Sequence, residues 1–344
     1  MDMNTPWIEA LVSDSVVVVL IVLAFLFARW AKKNEIWRDA LTQVARRRRG
    51  SVVVVGLFVL IALCDSVVWV GGAASGEDQV ASFEARSLLD RAFAGTKEKS
   101  YSAPLAKTEF YDSSELSGTH LLGTNVLGQD VLYLTLKGAK VALLIGGLTS
   151  LITIPLALLF GLSAGYYGGW IDDVVFFIMS TLASMPGILL LIALIMVLGQ
   201  STASVCVALG VTSWVGFCRL TRGEAMKLRE MDYVAAARSL GVNDRTIILR
   251  HILPNLMHLV VITFVLLFSG LVLAEATLAW LGIGVDGSWG QMIAAAKDEL
   301  SRDPIIYWNL APAGVALFVL LNAVNQLGDA LRDVLDPRTL GEHS

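Results

Sequence analysis

The sequence predicts an all-α fold, a polytopic bundle of membrane helices, and three observations point to it. Of 344 residues, 56% are hydrophobic and 16% are charged, with a mean hydropathy of +0.68. Soluble domains of this length do not have that balance. The apolar residues gather into runs, several of them near the about 20 residues that a helix needs to cross the hydrocarbon core. Lysine and arginine cluster in a few of the stretches between the runs. The formal net charge of −4 says little by itself; its distribution is what informs.

The first run, Ser15 to Ala28, is short and stands as an extra N-terminal span. Ser51 to Val70 is the first core span. Val141 to Ala164, Val174 to Leu198, the short Ala203 to Phe217, Met257 to Leu273 and Leu310 to Leu327 complete seven runs. A cleaved signal peptide is the rival reading of the first run. Its leading segment would be acidic rather than basic, and no small-residue cleavage pattern follows it.

Charge sets an orientation. Between the first two runs lie Arg29, Lys32, Lys33, Arg38 and the block Arg46, Arg47, Arg48 and Arg49. An arginine at a helix centre costs about 2.5 to 3.5 kcal/mol on the insertion scale, so the block belongs in the cytoplasm. Ahead of the first run stand Asp2, Glu9 and Asp14 with no basic residue, which puts the N-terminus outside. Counting crossings from there leaves 71–138, 199–202 and 282–309 outside, and 165–173, 219–256 and the tail from 328 inside. Arg222, Lys227, Arg229, Arg238, Arg245, Arg250, Arg332 and Arg338 then all fall inside. The 165–173 loop carries no basic residue and adds nothing to the count.

The expected organisation is therefore an extra span with a basic cytoplasmic linker (1–50), a first core span (51–70), a periplasmic segment (71–138), a helical core (139–335) and a cytoplasmic tail (336–344). Within 71–138, residues 82–93 suit a short amphipathic helix with Phe83, Leu88, Leu89 and Phe93 on its apolar side.

The core holds one informative cytoplasmic loop, 223–255. Tyr233, Ala236, Ala237 and Leu240 recur at helical spacing and form one apolar face. Gly241 follows as a helix stop that accepts positive φ. Asn243 suits the N-cap of a second helix, with Ile248, Leu249, Ile252 and Leu253 on one side and Arg245 on another. Pro254 ends the pattern before the next span. The result is a helix–glycine–helix hairpin whose small alanines admit a close partner surface.

This run resembles the coupling loop, the EAA motif, of binding-protein-dependent ABC importer permeases. There the pattern reads E-A-A-x-x-x-G, about nine residues, then I-x-L-P. Here it is Ala235-Ala236-Ala237-Arg238-Ser239-Leu240-Gly241 and then His251-Ile252-Leu253-Pro254, with Ala235 at the glutamate position. Further stretches are similar to the C-type subunit of dipeptide and oligopeptide permeases: Gly123 to Leu143 with Asn125, Gln129 and Lys140 departing from its usual Asp, Arg and Arg; Gly161 to Asp172; Leu273 to Gly284 with Ser288-Trp289-Gly290; and Arg332 to Arg338. The resemblance runs from about Leu122 to Arg338 and does not reach the first run.

The resemblance implies a six-span ABC importer permease core plus the extra span, in a bacterial inner membrane. It implies that Asp232, Tyr233, Ala235, Ala236, Ala237, Arg238, Gly241, Ile252, Leu253 and Pro254 meet a separate ATPase subunit, and that this ATPase drives the permease to move a peptide-like solute inward by alternating access. The implied partners are ABC ATPase subunits, a homologous second permease, an external solute-binding protein and membrane lipid, with no nucleic acid. A non-transporting assembly or signalling subunit that keeps the same fold is the alternative. Glu275, at the outer end of the sixth run, is either a membrane-depth gate residue or an interfacial cap of a short external helix.

No enzyme activity, cofactor or metal is expected. The sequence has no G-x-x-x-x-G-K-[ST] phosphate loop, no H-E-x-x-H and no nucleophile triad. Cys64, Cys206 and Cys218 all sit in apolar runs as free thiols. His251 and His258 straddle Pro254 and make no metal face. Gly161, Gly165 and Gly169 have the spacing that lets helices pack closely, and Pro155 and Pro186 are expected to kink their spans.

Overall fold

The computed structural model describes residues 14–22, 26, 29, 33–72, 83–94, 98–110, 115–303 and 305–335. Residues 23–25, 27 and 28 of the first run, with Asp2, Glu9, Lys32, Asp78 and Arg338, lie outside the described residues. The described residues are mostly helical, with one small hairpin of strands and an irregular stretch over 98–110 and 115–130. Five of its helices are long and apolar enough to cross a membrane, and a bent pair makes a sixth. These six correspond to the second to seventh apolar runs.

The helices are α1 (14–22), α2 (Glu35–Arg47), α3 (Arg49–Ser66), α4 (Leu88–Ala92), α5 (Val131–Tyr167), α6 (Gly169–Ser184), α7 (Gly187–Leu198) and α8 (Thr202–Arg229). After them come α9 (Asp232–Ser239), α10 (Asp244–Ile247), a π-turn (Ile248–Ile252), α11 (Leu253–Trp280), α12 (Trp289–Glu299) and α13 (Leu310–Leu335). Two compact units divide them: Met1–Ile145 with Val272–Ala330, and Gly146–Leu271 with Leu331–Ser344.

In the first unit the second apolar run does not stay helical to Val70. It leaves the helix after Ser66 and becomes β1 (Val68–Gly72), paired antiparallel with β2 (Phe83–Ser87). Val67, Val68, Trp69 and Val70 are β-branched or aromatic and favour extended backbone once the helix has ended. The helix expected over 82–93 shrinks for the same reason, because β2 takes its first half. Ser87 then starts α4 with a capping box: its hydroxyl accepts from the Asp90 N–H, and the Asp90 carboxylate accepts from the Ser87 N–H.

An ionic cluster ties these pieces to α5. Lys140 pairs with Asp14 of α1 and lies 3.7 Å from Asp65 of α3. The Ser87 hydroxyl donates to Asp65 at 2.9 Å. Lys137 and the Tyr133 hydroxyl both donate to Asp90, at 2.7 and 2.6 Å.

In the second unit α5 packs on α8 through small residues. A Cβ on Gly161 would stand 2.8 Å from the Thr221 Cβ and 2.9 Å from the Cys218 carbonyl oxygen. One on Gly165 would stand 2.6 Å from the Arg222 carbonyl oxygen. Gly169 meets nothing there and instead takes a positive φ of +55° at the α5–α6 turn. Of the two prolines, Pro155 remains inside a continuous α5. Pro186 stands at the break where α6 and α7 bend by 93°. The residue before a proline avoids the helical region, and Met185 is accordingly extended.

Candidate functional site

The candidate site is the α9–α10 hairpin of the second unit. α9 stops with both hydrogen bonds of a Schellman motif: the Gly241 N–H donates to the Arg238 carbonyl at 3.0 Å and the Val242 N–H to the Ala237 carbonyl at 3.1 Å. Gly241 takes the positive φ, +77°, that this stop requires. Asn243 precedes α10 as expected, but its side chain makes no capping bond.

Beyond α10 the chain does not end its helix at Pro254. It widens into the π-turn, in which the Leu253 N–H reaches back five residues to the Ile248 carbonyl, and continues as α11. A proline offers no N–H and crowds the carbonyl four residues back. The wider turn just before it accommodates both.

The π-turn also changes which residues face inward. Val234 and Ala237 of α9, with Ile247, Ile252 and Leu256, pack in one buried cluster with Leu162, Tyr166 and Ala225. Ile247 and Ile252 share a face because five residues, not four, separate them across the π-turn. Leu249, expected on the apolar side, is 64% exposed. The expected face of Tyr233, Ala236, Ala237 and Leu240 likewise divides: Ala237 is buried, whereas Tyr233, Ala236 and Leu240 stand open, Leu240 at 82%. Asp232, Ala235, Arg238, Gly241 and Pro254 are exposed too. Leu253 is half-buried and Ile252 fully buried. The hairpin is thus anchored from behind, with Tyr233, Ala236, Leu240 and Leu249 exposed. The Asn255 amide closes its base by donating to the Tyr233 hydroxyl at 3.2 Å and the His251 carbonyl at 2.7 Å.

Polar contacts join the hairpin to the ends of α5 and α8. The Tyr166 hydroxyl donates to Asp244 at 2.6 Å, and Arg238 lies over the Tyr166 ring at 5.6 Å. Arg229 donates to the Gly165 carbonyl at 3.1 Å. Arg222 grips Asp172 with two nitrogens, one of them at 2.6 Å. The sequence points to no role for Tyr166, Asp172 or Asp244, and Arg222 enters only as a charge of the inside loop. The only signal was the Gly161 to Asp172 stretch, which looked like a subgroup marker.

Glu275 belongs to the first unit and is buried, at 4% exposure. Its carboxylate accepts from the Val285 N–H at 3.4 Å. It also lies against Gly290 in the first turn of α12, where a Cβ would stand 2.9 Å from it. Among the described residues no group of His, Cys, Asp and Glu could hold a metal. The three cysteines are free, two of them buried and Cys64 partly so.

The fold defines a multi-pass helical membrane protein with a hairpin that is buried along one side and exposed along the other. Residues 157–341 match the family described as the binding-protein-dependent transport system inner membrane component. The glutathione transport system permease protein GsiD of Pectobacterium atrosepticum is 35% identical over 245 residues, 69% of this chain and 80% of that one. The protein of the same name from Escherichia coli O6:K15:H31 is 36% identical over 70% of this chain and 80% of its own length. A Brucella suis protein, provisionally named a peptide transport system permease protein, is 40% identical over 64% of this chain and 74% of its own. The chain belongs to this family: it is a multi-pass inner-membrane permease component of a binding-protein-dependent transport system.

Proposed function

We propose that this chain imports a peptide-like solute, of di- or oligopeptide or glutathione type, and that the α9–α10 hairpin is where a separate ATPase subunit seats. The observation that carries the coupling reading is the division of the hairpin into a buried anchor, Val234, Ala237, Ile247 and Ile252, and an open apolar surface, Tyr233, Ala236, Leu240 and Leu249. Exposed apolar side chains on an element held from behind suit a surface that a partner covers. Asp232, Ala235, Arg238, Gly241 and Pro254 border that surface, and Ala235 leaves room for close approach where the motif's glutamate would stand.

The solute class rests on the names of the relatives, two for glutathione and one for peptides. The full importer then comprises this chain, a homologous second permease, two ATPase subunits and an external binding protein. ATP binding draws the hairpin, and the helices alternate between inward-open and outward-open arrangements.

The N-terminus is outside and the C-terminus cytoplasmic in this reading. Asp14, at the start of α1, lies beside Lys140 and Asp65, and Asp65 is near the end of α3. The start of α1 and the end of α3 therefore share one side, as the charge count requires. Residues 1–50 are then the extra span and basic linker, 51–70 the first core span with its extended end, 71–138 the periplasmic segment, 139–335 the core with the coupling loop 223–255, and 336–344 the cytoplasmic tail. Glu275 is a gate-region residue that acts by seating the start of α12.

The test is uptake by the reconstituted complex. Proteoliposomes containing both permeases and the ATPases, given the binding protein outside and ATP within, should accumulate labelled dipeptide, oligopeptide or glutathione. ATP-dependent uptake of none of these would overturn the solute assignment.

A further inference from the structure

The hairpin does more than rest on the bundle; a specific pair of side chains joins it to α5. The Tyr166 hydroxyl, on a residue only 5% exposed, reaches the Asp244 carboxylate at 2.6 Å. Asp244 is the first residue of α10, and Tyr166 is the next-to-last residue of α5. Arg238, in the last turn of α9, covers the Tyr166 ring at 5.6 Å. Tyr166 therefore touches both helices of the hairpin. From the other side Arg229 donates to the carbonyl of Gly165 and, at 3.5 Å, to that of Tyr166 itself, fixing the end of α5 against α8.

We infer that Tyr166 and Asp244 form the latch through which hairpin movement is passed to α5. This rests on the coupling reading above and names the residues that carry it. Apart from Arg238 over the same ring, the remaining anchor is apolar packing, which resists separation but is non-directional and lets surfaces slide. A short hydrogen bond to a carboxylate is directional and among the stronger kinds, so it fixes the angle between α10 and the α5 end. Tyr166 and Asp244 are positioning residues: they meet neither solute nor nucleotide in this account.

The test uses the complete reconstituted importer and reads solute moved per ATP hydrolysed. Tyr166→Phe removes one oxygen and keeps the packed ring. Asp244→Ala removes the acceptor, whereas Asp244→Asn keeps an oxygen at that place. The latch predicts that Tyr166→Phe and Asp244→Ala hydrolyse ATP at rates near wild type while moving at least fivefold less solute per ATP. Asp244→Asn should recover most of the wild-type ratio. A ratio unchanged in both Tyr166→Phe and Asp244→Ala overturns the latch, as does a loss of hydrolysis and transport in equal proportion. Should Tyr166→Phe fail to assemble, the contrast between Asp244→Ala and Asp244→Asn decides alone, and equal ratios for those two also overturn it. Wild-type complex that neither retains an ATPase nor transports would defeat the coupling reading itself, a result distinct from any of these.

Discussion

Asp14 and Lys140 form a buried ion pair that joins the start of α1 to α5, and Lys140 extends the same ammonium toward Asp65. Both side chains are largely removed from solvent, at 8% and 13% exposure. Removing Lys140 leaves Asp14 and Asp65 without their shared cation. Lys140→Met should therefore destabilise the protein by about 3 kcal/mol, seen as a lower unfolding temperature of the detergent-solubilised complex. The reversed pair, Asp14→Lys with Lys140→Asp, should recover less than half of the loss, because Asp65 would then face a second carboxylate.

The α5–α8 contact leaves no room for a methyl group at Gly161 or Gly165, where the colliding atoms include backbone carbonyls that cannot swing aside. Gly161→Ala and Gly165→Ala should each cost about 1 to 3 kcal/mol by overpacking. Gly216, on the same α8, meets nothing within 4 Å. Gly216→Ala should be neutral or slightly stabilising, since alanine is the better helix former. Thermal unfolding of the three variants side by side checks the contrast.

Asp90 supplies a pH prediction. Burial disfavours its charged form, but the hydrogen bonds from Lys137, Tyr133 and the Ser87 N–H outweigh burial and hold the carboxyl at about 2, below its ordinary 3.8. A lowered folded-state pKa contributes stability that is fully present above the unfolded value and is lost as pH falls through the folded one. Asp90→Asn should therefore be less stable than wild type by about 2 kcal/mol at neutral pH. That gap should shrink below pH 3.8 and close near pH 2. Denaturation of both proteins across that range measures it.

Glu275 accepts from the backbone of the 281–288 loop and lies against the first turn of α12. Glu275→Ala leaves the Val285 N–H unsatisfied and should cost about 1 to 3 kcal/mol. Glu275→Gln keeps an acceptor in place and should cost less. Comparing the uptake of the two variants with their stability shows whether the gate role follows the seating of α12.

The sequence made the spans legible through hydropathy and the hairpin through its spacing, Gly241 and Pro254. It placed the helix ends poorly where charge interrupted an apolar run. The fifth apolar run ends at Phe217, yet α8 continues to Arg229, where Arg222 is paired with Asp172 and Arg229 with the end of α5. The third apolar run begins at Val141, yet α5 starts at Val131, where Lys137 and Lys140 are neutralised by Asp90 and Asp14. Such pairings are long-range and leave no local trace. The inward placement of Ile247 was hidden for a different reason: the π-turn alters the helical period, and spacing arguments assume that it is constant. The strands at Val68–Gly72 and Phe83–Ser87 needed each other to form, and nothing local to either announced the pairing.

The most direct test of the account is a crosslink. Leu240→Cys, beside the exposed tip of the hairpin, would be placed in a chain lacking Cys64, Cys206 and Cys218, and the complex would be purified from native membranes. The account predicts that a phosphate-loop ATPase copurifies and crosslinks to position 240 with a yield that changes when nucleotide is added. An intact permease pair with no ATPase bound and no crosslink would contradict it.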